Sequence, residues 1–427
     1  MKDLYNKIQQ IKQEQLVVFL ACFVLTGMVF SPFLLSAAMI GYGVLAFFSL
    51  KNWRPIFNPD FKKNIAYFIS HKGYLVISIS FFLVLFSGGF TEMENTAYWW
   101  ERIRLKIPFL LFPFAFASFR PLSSKHFWAI MYFLTGLLVV TCIGIGIHYL
   151  LHFDEINHLL QKGQPMPTPR NHIRFSLLLA YGIFTSFFLY KRGGLFNYKW
   201  EKRVLLGAVI FLFLSLHLLS VRSGLAAFYA ASFILIIQQT LRSKKYFLGI
   251  SMIALMAAIP FLAYKTVPSF KAKIDYTLYE RWRRQHQKSQ IEYSDGGRFI
   301  SLKVGMKIGN EHPVFGIGAG NLRAEVKKQY ASKTLKNSDW KMPHNQFVST
   351  YAGLGGVGLL LFIFAFFFPL FYKKGYLHPL FLSFHIIILL SFMVENTIEN
   401  SIGIAFYLFF TLLNLNHQTQ TTPKAKS

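Results

Sequence analysis

An all-α polytopic membrane fold is what this sequence predicts, and three observations predict it. Of its 427 residues 54% are hydrophobic and only 15% charged, the composition of a chain dissolved in lipid. Apolar runs of roughly 17 to 25 residues, each able to cross a hydrocarbon core of about 30 Å, recur from end to end. None of these runs alternates with period two. Backbone groups in lipid must be satisfied within the segment, so such runs are helices and a β-barrel is excluded.

Twelve spans follow, at 15–31, 33–50, 73–90, 104–119, 127–150, 172–190, 204–220, 223–240, 246–264, 346–371, 377–394 and 400–416. The first is preceded by Lys2, Lys7 and Lys12, as in a secretion signal. No small-residue cleavage site follows and the second run arrives almost at once, so it reads as an uncleaved helix. The fourth opens on two cations, Arg104 and Lys106. The sixth starts in "PRNHIRFSLLLAYG", and the seventh and eighth are joined by the short turn of "LSVRSGLAAFYA". Before the tenth stands a long charged stretch, and the last two enclose "ENTIEN". The chain therefore divides into nine helices over 1–264, one large loop over 265–343, and three helices with a tail over 344–427. Cys22 and Cys142 fall inside apolar runs and read as small hydrophobes, not as a disulfide framework.

Loop charges orient the helices, because short cytoplasmic loops hold the excess of Lys and Arg. With the N-terminus inside, the inner segments carry Lys51, Arg54, Lys62, Lys63 and Lys72, then Arg120 and Lys125, then Lys191, Arg192, Lys199, Lys202 and Arg203, then Arg242, Lys244 and Lys245, then Lys373 and Lys374. The short outer loops are poorer, and in "TEMENTAYWWER" Arg102 is offset by Glu92, Glu94 and Glu101. Both termini are thus expected in the cytoplasm. The overall charge of +27 is split between two membrane faces, which argues against nucleic acid as a partner.

The large loop breaks the charge pattern, with sixteen Lys or Arg against seven acids. Long loops cross regardless of charge, so the topology survives. Such a basic outer surface suits a polyanionic ligand, or else it is a solvated face touching anionic membrane lipids. Within the loop, 298–308 sets Phe299, Leu302 and Met306 against Lys303 and Lys307 at helical spacing, so this stretch lies on the membrane surface or caps the bundle. "GNEHPVFGIGAGN" follows as a turn. Gly316, Gly318 and Gly320 have no strand before them and no G-K-[ST] after, which argues against a nucleotide loop.

Candidate site residues gather on the outer side. His344 and Asn345 sit at the first turn of the tenth helix, with Gly353, Gly355, Gly356 and Gly358 about three turns deeper. Small residues let helices pack backbone to backbone, and close packing there would hold the histidine as a positioned proton acceptor. Alternatively, the pair is a helix cap in the interfacial belt. Arg174 and Arg222 stand at the starts of the sixth and eighth helices and Arg298 in the large loop. Singly, such arginines snorkel to headgroups. Together they suit a phosphorylated or pyrophosphorylated ligand, because guanidinium grips phosphate bidentately and keeps its charge. Glu395 and Glu399 flank the last outer turn, either to orient His344 and balance the arginines or to cap helices facing water.

These residues resemble the O-antigen ligase and polysaccharide polymerase superfamily of bacterial inner membranes. Its ligases share His, then Asn, Ser or Gln, nine residues, Gly, two residues, and Gly, Thr or Tyr. Here His344 and Asn345 open the pattern, Gln346 to Leu354 supply the nine, Gly355 follows, and Gly358 closes it after Gly356 and Val357. A second pattern, Arg, three residues, Leu, is met by Arg174 with Leu178 and by Arg298 with Leu302. "VRSG" at 221–224 and the turn after Arg298 are similar as well, and the resemblance runs from about Pro169 to Asn400.

The resemblance implies a GT-C-like glycosyltransferase whose donor is a glycan on undecaprenyl diphosphate at the periplasmic face, with no metal and no nucleotide sugar. It implies His344 as general base for an acceptor hydroxyl, such as one on lipid A-core. Arg174 and Arg298, together with Arg222, would bind the diphosphate, and inversion would follow by direct displacement. No paired-carboxylate site of the glycosidase kind is evident, Glu395 and Glu399 being the one pair available. A polymerase and a protein O-oligosaccharyltransferase share fold and donor and differ in acceptor. A flippase would line a mid-membrane cavity with charges, often between internal repeats, and neither is seen. A catalytically silent carrier-binding scaffold is the remaining reading.

Overall fold

The computed structural model describes residues 2–51, 54–119, 121–196, 198–286, 294–331 and 340–421. Ser31 ends the first helix, α1 (Lys2–Phe30), and starts the second, α2 (Pro32–Phe47): its hydroxyl accepts the Leu34 N–H at 3.3 Å, and Pro32 takes the first-turn position where no N–H is needed. The two helices fold back on each other, Gly27 meeting the Leu35 backbone and Tyr42 donating to the Val17 carbonyl at 2.8 Å. The span expected at 33–50 stops at Phe47. Its last residues instead form a short antiparallel ribbon, β1 (Phe48–Lys51) with β2 (Arg54–Phe57), with Phe48 opposite Phe57.

Then come α3 (Phe61–Ser70), α4 (Lys72–Leu75) and α5 (Ile79–Phe86), the last two linked through 3₁₀ turns into one run over 72–90. The span expected at 104–119 is broken where Pro108 removes a helical N–H, between α6 (Thr96–Lys106) and α7 (Pro108–Ser118). Onward run α8 (Ser124–Leu151), α9 (Phe153–Gln161), α10 (His172–Arg192), α11 (Lys199–Leu219), α12 (Arg222–Ser243), α13 (Tyr246–Thr266) and α14 (Pro268–His286). Three helices make up most of the described part of the large loop, α14, α15 (Ser294–Glu311) and α16 (Leu322–Ala331). Glu292 and Asp339, counted among its acids, lie outside the described residues. The chain ends with α17 (Gln346–Phe371), α18 (Pro379–Val394) and α19 (Ser401–Thr421).

The fold is therefore all-α and polytopic. Among the described residues eight helical runs are long and apolar enough to cross a membrane: 13–30, 72–90, α8, α10, α11, α12, α13 and 346–377. Of the other four expected spans, those on α2, α7 and α18 fall on helices of 16, 11 and 16 residues, too short to cross unaided. The last falls on α19, whose final turns are polar.

Backbone contacts group the chain into one unit of 1–124, 289–376 and 392–427 and another of 125–288 and 377–391. Aromatic rings fill the first: Tyr42 stacks on Phe116 at 5.4 Å, and Phe366 lies 5.0 Å from Phe392 and 5.9 Å from Tyr407. In the second, α10 is the central helix, buried along most of its length. Gly182 receives Leu138 of α8, and Ser186 shares a hydrogen bond with Thr135 at 3.1 Å.

Candidate active site

Histidine 344 stands one residue before the cap of α17, and that cap is tied on both sides. Asn345 accepts the Val348 N–H through Oδ1 at 3.0 Å and donates from Nδ2 to the Met393 carbonyl at 2.9 Å. The helix start is thereby joined to the chain leading into Glu395. From α15, Ser301 donates to the Arg298 carbonyl at 2.7 Å and accepts the backbone N–H of His344 at 3.2 Å. Glycines let α15 approach α17 closely: a Cβ at Gly305 would meet Pro343 and Val348, and one at Gly309 would meet Tyr351. Beneath them Val304 and Ile308 are fully buried with Leu322, Val326, Tyr330 and Ala352. That apolar face docks α15, while Phe299 and Met306 remain exposed on the other.

This scaffold brings three of the residues singled out in the sequence into direct contact. One oxygen of Glu395 accepts from Arg298 Nη2 at 2.9 Å, and the other faces His344 Nδ1 at 3.3 Å. The Glu395 side chain is 13% exposed, that of His344 25% and that of Arg298 34%, so the pair is sheltered yet reachable. An ionised carboxylate only accepts, so Nδ1 carries the proton towards Glu395 and the lone pair of the neutral ring is on Nε2. A carboxylate that fixes tautomer and ring orientation is the arrangement that makes histidine a directed base.

Glu399 does something different from Glu395. Its Oε1 accepts from Lys106 Nζ at 2.8 Å and Gln346 Nε2 at 3.2 Å, and Arg102 lies 3.6 Å from Oε2. Burial pushes the Glu399 carboxyl up, but the Lys106 and Arg102 charges outweigh it and hold the group below the usual carboxylate range. Lys106, Gln346 and Ser301 were not singled out from sequence. The first two are charged or polar residues at helix ends, and their partners are hundreds or tens of positions away. A buried lysine at the edge of an apolar run was the available signal.

The glycine patch holds a turn, not a neighbouring helix as the sequence suggested. At Gly355 the backbone leaves the helix with φ +67 and ψ −171. A continuous helix would bond Gly356 N–H to Ala352 and Val357 N–H to Gly353. Here those N–H groups donate to Pro313 at 2.8 Å and Val314 at 3.2 Å, while the Ala352 and Gly353 carbonyls accept from Ile317 at 3.3 Å and Gly318 at 2.9 Å. These two N–H groups and two carbonyls at the break are thus satisfied by the 312–320 turn. Asn321 pins the turn's other side, donating to the Phe90 and Ile317 carbonyls and accepting from the Glu92 N–H and the Asn95 side chain.

Arg174 and Arg222 belong to the other unit, where they start α10 and α12. Asn171 caps α10 by accepting the Arg174 N–H at 3.0 Å. Two residues beyond each arginine the helices touch, a Cβ at Gly224 falling 2.5 Å from the Ser176 side chain. The two helix starts therefore lie side by side, and both arginines are partly exposed. Among the described residues no group of three or more His, Cys, Asp or Glu is placed to hold a metal ion.

Residues 207–363 match the O-antigen ligase family model. The matched segment contains Arg222, Arg298, His344, Asn345 and the 312–320 turn with the broken helix that receives it, and leaves Arg174, Glu395 and Glu399 outside. No curated protein matches the chain.

Proposed function

We propose that this chain, a member of the O-antigen ligase superfamily by residues 207–363, transfers a glycan from undecaprenyl diphosphate to an acceptor hydroxyl, that of lipid A-core, at the periplasmic face of the bacterial inner membrane. The observation that carries the reading is Glu395 bridging Arg298 and His344. His344 Nε2 takes the proton from the acceptor hydroxyl as its oxygen attacks the anomeric carbon, and the carbon–oxygen bond to the diphosphate breaks. The configuration inverts, with no covalent enzyme intermediate. Glu395 holds the ring and balances the imidazolium that forms. Arg298 offsets the negative charge growing on the leaving diphosphate. Arg174 and Arg222, paired at the starts of α10 and α12, are proposed as ligands for an anionic diphosphate group on the strength of their pairing. The residues named accomplish the transfer without a metal.

Acceptor choice separates the ligase from a polymerase or a protein glycosyltransferase. Purified protein in lipid nanodiscs with the lipid-diphosphate glycan should extend lipid A-core and leave free repeat units unjoined. In a deletion strain, bare core with long chains stranded on the carrier lipid supports ligation. Core capped by single repeats, or transfer to protein alone, replaces the ligase reading with one of the others, and carrier lipid confined to the cytoplasmic leaflet replaces it with a flippase.

A further inference from the structure

Two residues that touch neither His344 nor Arg298 hold both ends of the site. Lys106, 3% exposed, donates to the Ile398 carbonyl at 2.7 Å and to Glu399 Oε1 at 2.8 Å. Gln346, 1% exposed, donates to the same Glu399 oxygen at 3.2 Å and accepts the Ile398 N–H through Oε1 at 3.1 Å. Ile398 is therefore gripped at its carbonyl by one residue and at its N–H by the other, and Glu399 binds both. Gln346 lies two residues after His344, and Ile398 three after Glu395.

We propose that Lys106, Gln346 and Glu399 form a buried clamp that sets the distance and angle between Glu395 and His344, with Lys106 and Gln346 as positioning residues for the transfer reaction. The clamp rests on the functional reading above for its purpose and on its own contacts for its existence. Three features distinguish it from a salt bridge that adds only stability. A buried lysine and carboxylate gain little net free energy over an apolar packing of the same volume, so stability alone is a weak reason to bury them. Their hydrogen bonds converge on a short 3₁₀ turn, Thr397–Glu399, whose Ile398 they hold at both its N–H and its carbonyl. And the clamp closes a ring: His344 to Glu395, along the chain to Ile398 and Glu399, across to Gln346, and back to His344. Slack anywhere in that ring appears at the 3.3 Å contact between imidazole and carboxylate. A displacement of about 1 Å of catalytic groups costs on the order of 10²-fold in rate.

The test compares Lys106→Met and Gln346→Met in the full-length protein in nanodiscs. Gln346→Met breaks one side without removing a charge and stands if Lys106→Met, which takes away the cation nearest Glu399, does not fold. Hydrogen–deuterium exchange should quicken in 395–400 and 344–349 and stay unchanged elsewhere. Transfer should lose about 10- to 100-fold in kcat with KM for the donor nearly constant. Combined with Glu395→Gln, either variant should cost little more than Glu395→Gln alone, because both act through the same contact. Exchange that stays as in wild type, exchange that quickens throughout the unit, or losses that multiply with Glu395→Gln each overturn the clamp. If the wild-type protein transfers no glycan to any acceptor while exchange quickens locally, the reaction assignment fails and the clamp on the His344–Glu395 pair stands.

Discussion

At the scale of single residues, one carboxylate sets the chemistry of the site, because Glu395 meets Arg298 with one oxygen and the His344 ring with the other. His344 and Asn345 were legible because their pattern is local and opens an apolar helix. The contact of His344 with Glu395 was one of two readings left open, since 51 positions separate the partners and nothing in the spacing distinguishes Glu395 from Glu399. Their partners distinguish them: Glu399 accepts from Lys106 and Gln346, whereas Glu395 meets Arg298 and the imidazole. A sugar hydroxyl is a weak nucleophile until its proton has somewhere to go, and a positioned base contributes about 10²- to 10⁴-fold. His344→Ala should accordingly insert and bind donor but transfer slower by roughly that factor. Turnover as in wild type would take His344 out of the mechanism, and lost donor binding would make it a substrate ligand. Arg298→Lys keeps the charge and loses the planar fork that faces Glu395, so transfer should fall by about 10- to 100-fold. An undiminished rate would reduce Arg298 to a surface charge.

At the scale of elements, the apolar runs were readable and their interruptions were not. Length and hydropathy predicted α8, α10, α11, α12 and α13 to within a few residues, because lipid leaves a spanning segment few alternatives to a helix. The 33–50 run misled because Phe48, Ser49 and Leu50 are apolar or neutral in either helix or ribbon. The glycines of α17 misled for a deeper reason. Small residues invite close approach, but composition does not say whether helix or loop approaches. Positive φ decides it at Gly355, where any Cβ would fall 2.3 Å from the Val314 carbonyl oxygen. Gly355→Ala therefore carries both a strained backbone, on the order of 1–3 kcal/mol, and displacement of the 312–320 turn. A lowered thermal midpoint in detergent, with faster hydrogen exchange at Ile317, Gly318, Gly356 and Val357, is the expected result. Gly356→Ala has a negative φ and a nearest neighbour at 3.1 Å, so it should be milder. Equal losses from the two would show that bulk, not backbone conformation, governs the site.

For the whole molecule, topology links these scales, since a site can meet a flipped lipid-linked donor only from one face. The side-by-side starts of α10 and α12, with Gly224 on Ser176, require both to enter from the same face, with α11 returning between them. Five cations lie in the connection at 191–203 and three more at 242–245, where α10 and α12 end. By the charge rule, those ends are expected in the cytoplasm. Between Tyr198 and Ser294 the chain passes through α11, α12 and α13, all three long and apolar enough to cross. Three crossings reverse the face. A reporter fused after Tyr198 should therefore be active in the cytoplasm and one fused after Ser294 outside it, whatever the short helices α2, α7 and α18 do. Cytoplasmic activity of both would remove one of the three crossings and turn α15, with Arg298, to the cytoplasmic side. The opposite assignment of both would leave the helices in place and invert the charge argument. In either case the periplasmic donor would have to be abandoned, because His344 shares its level with Arg298 through Glu395.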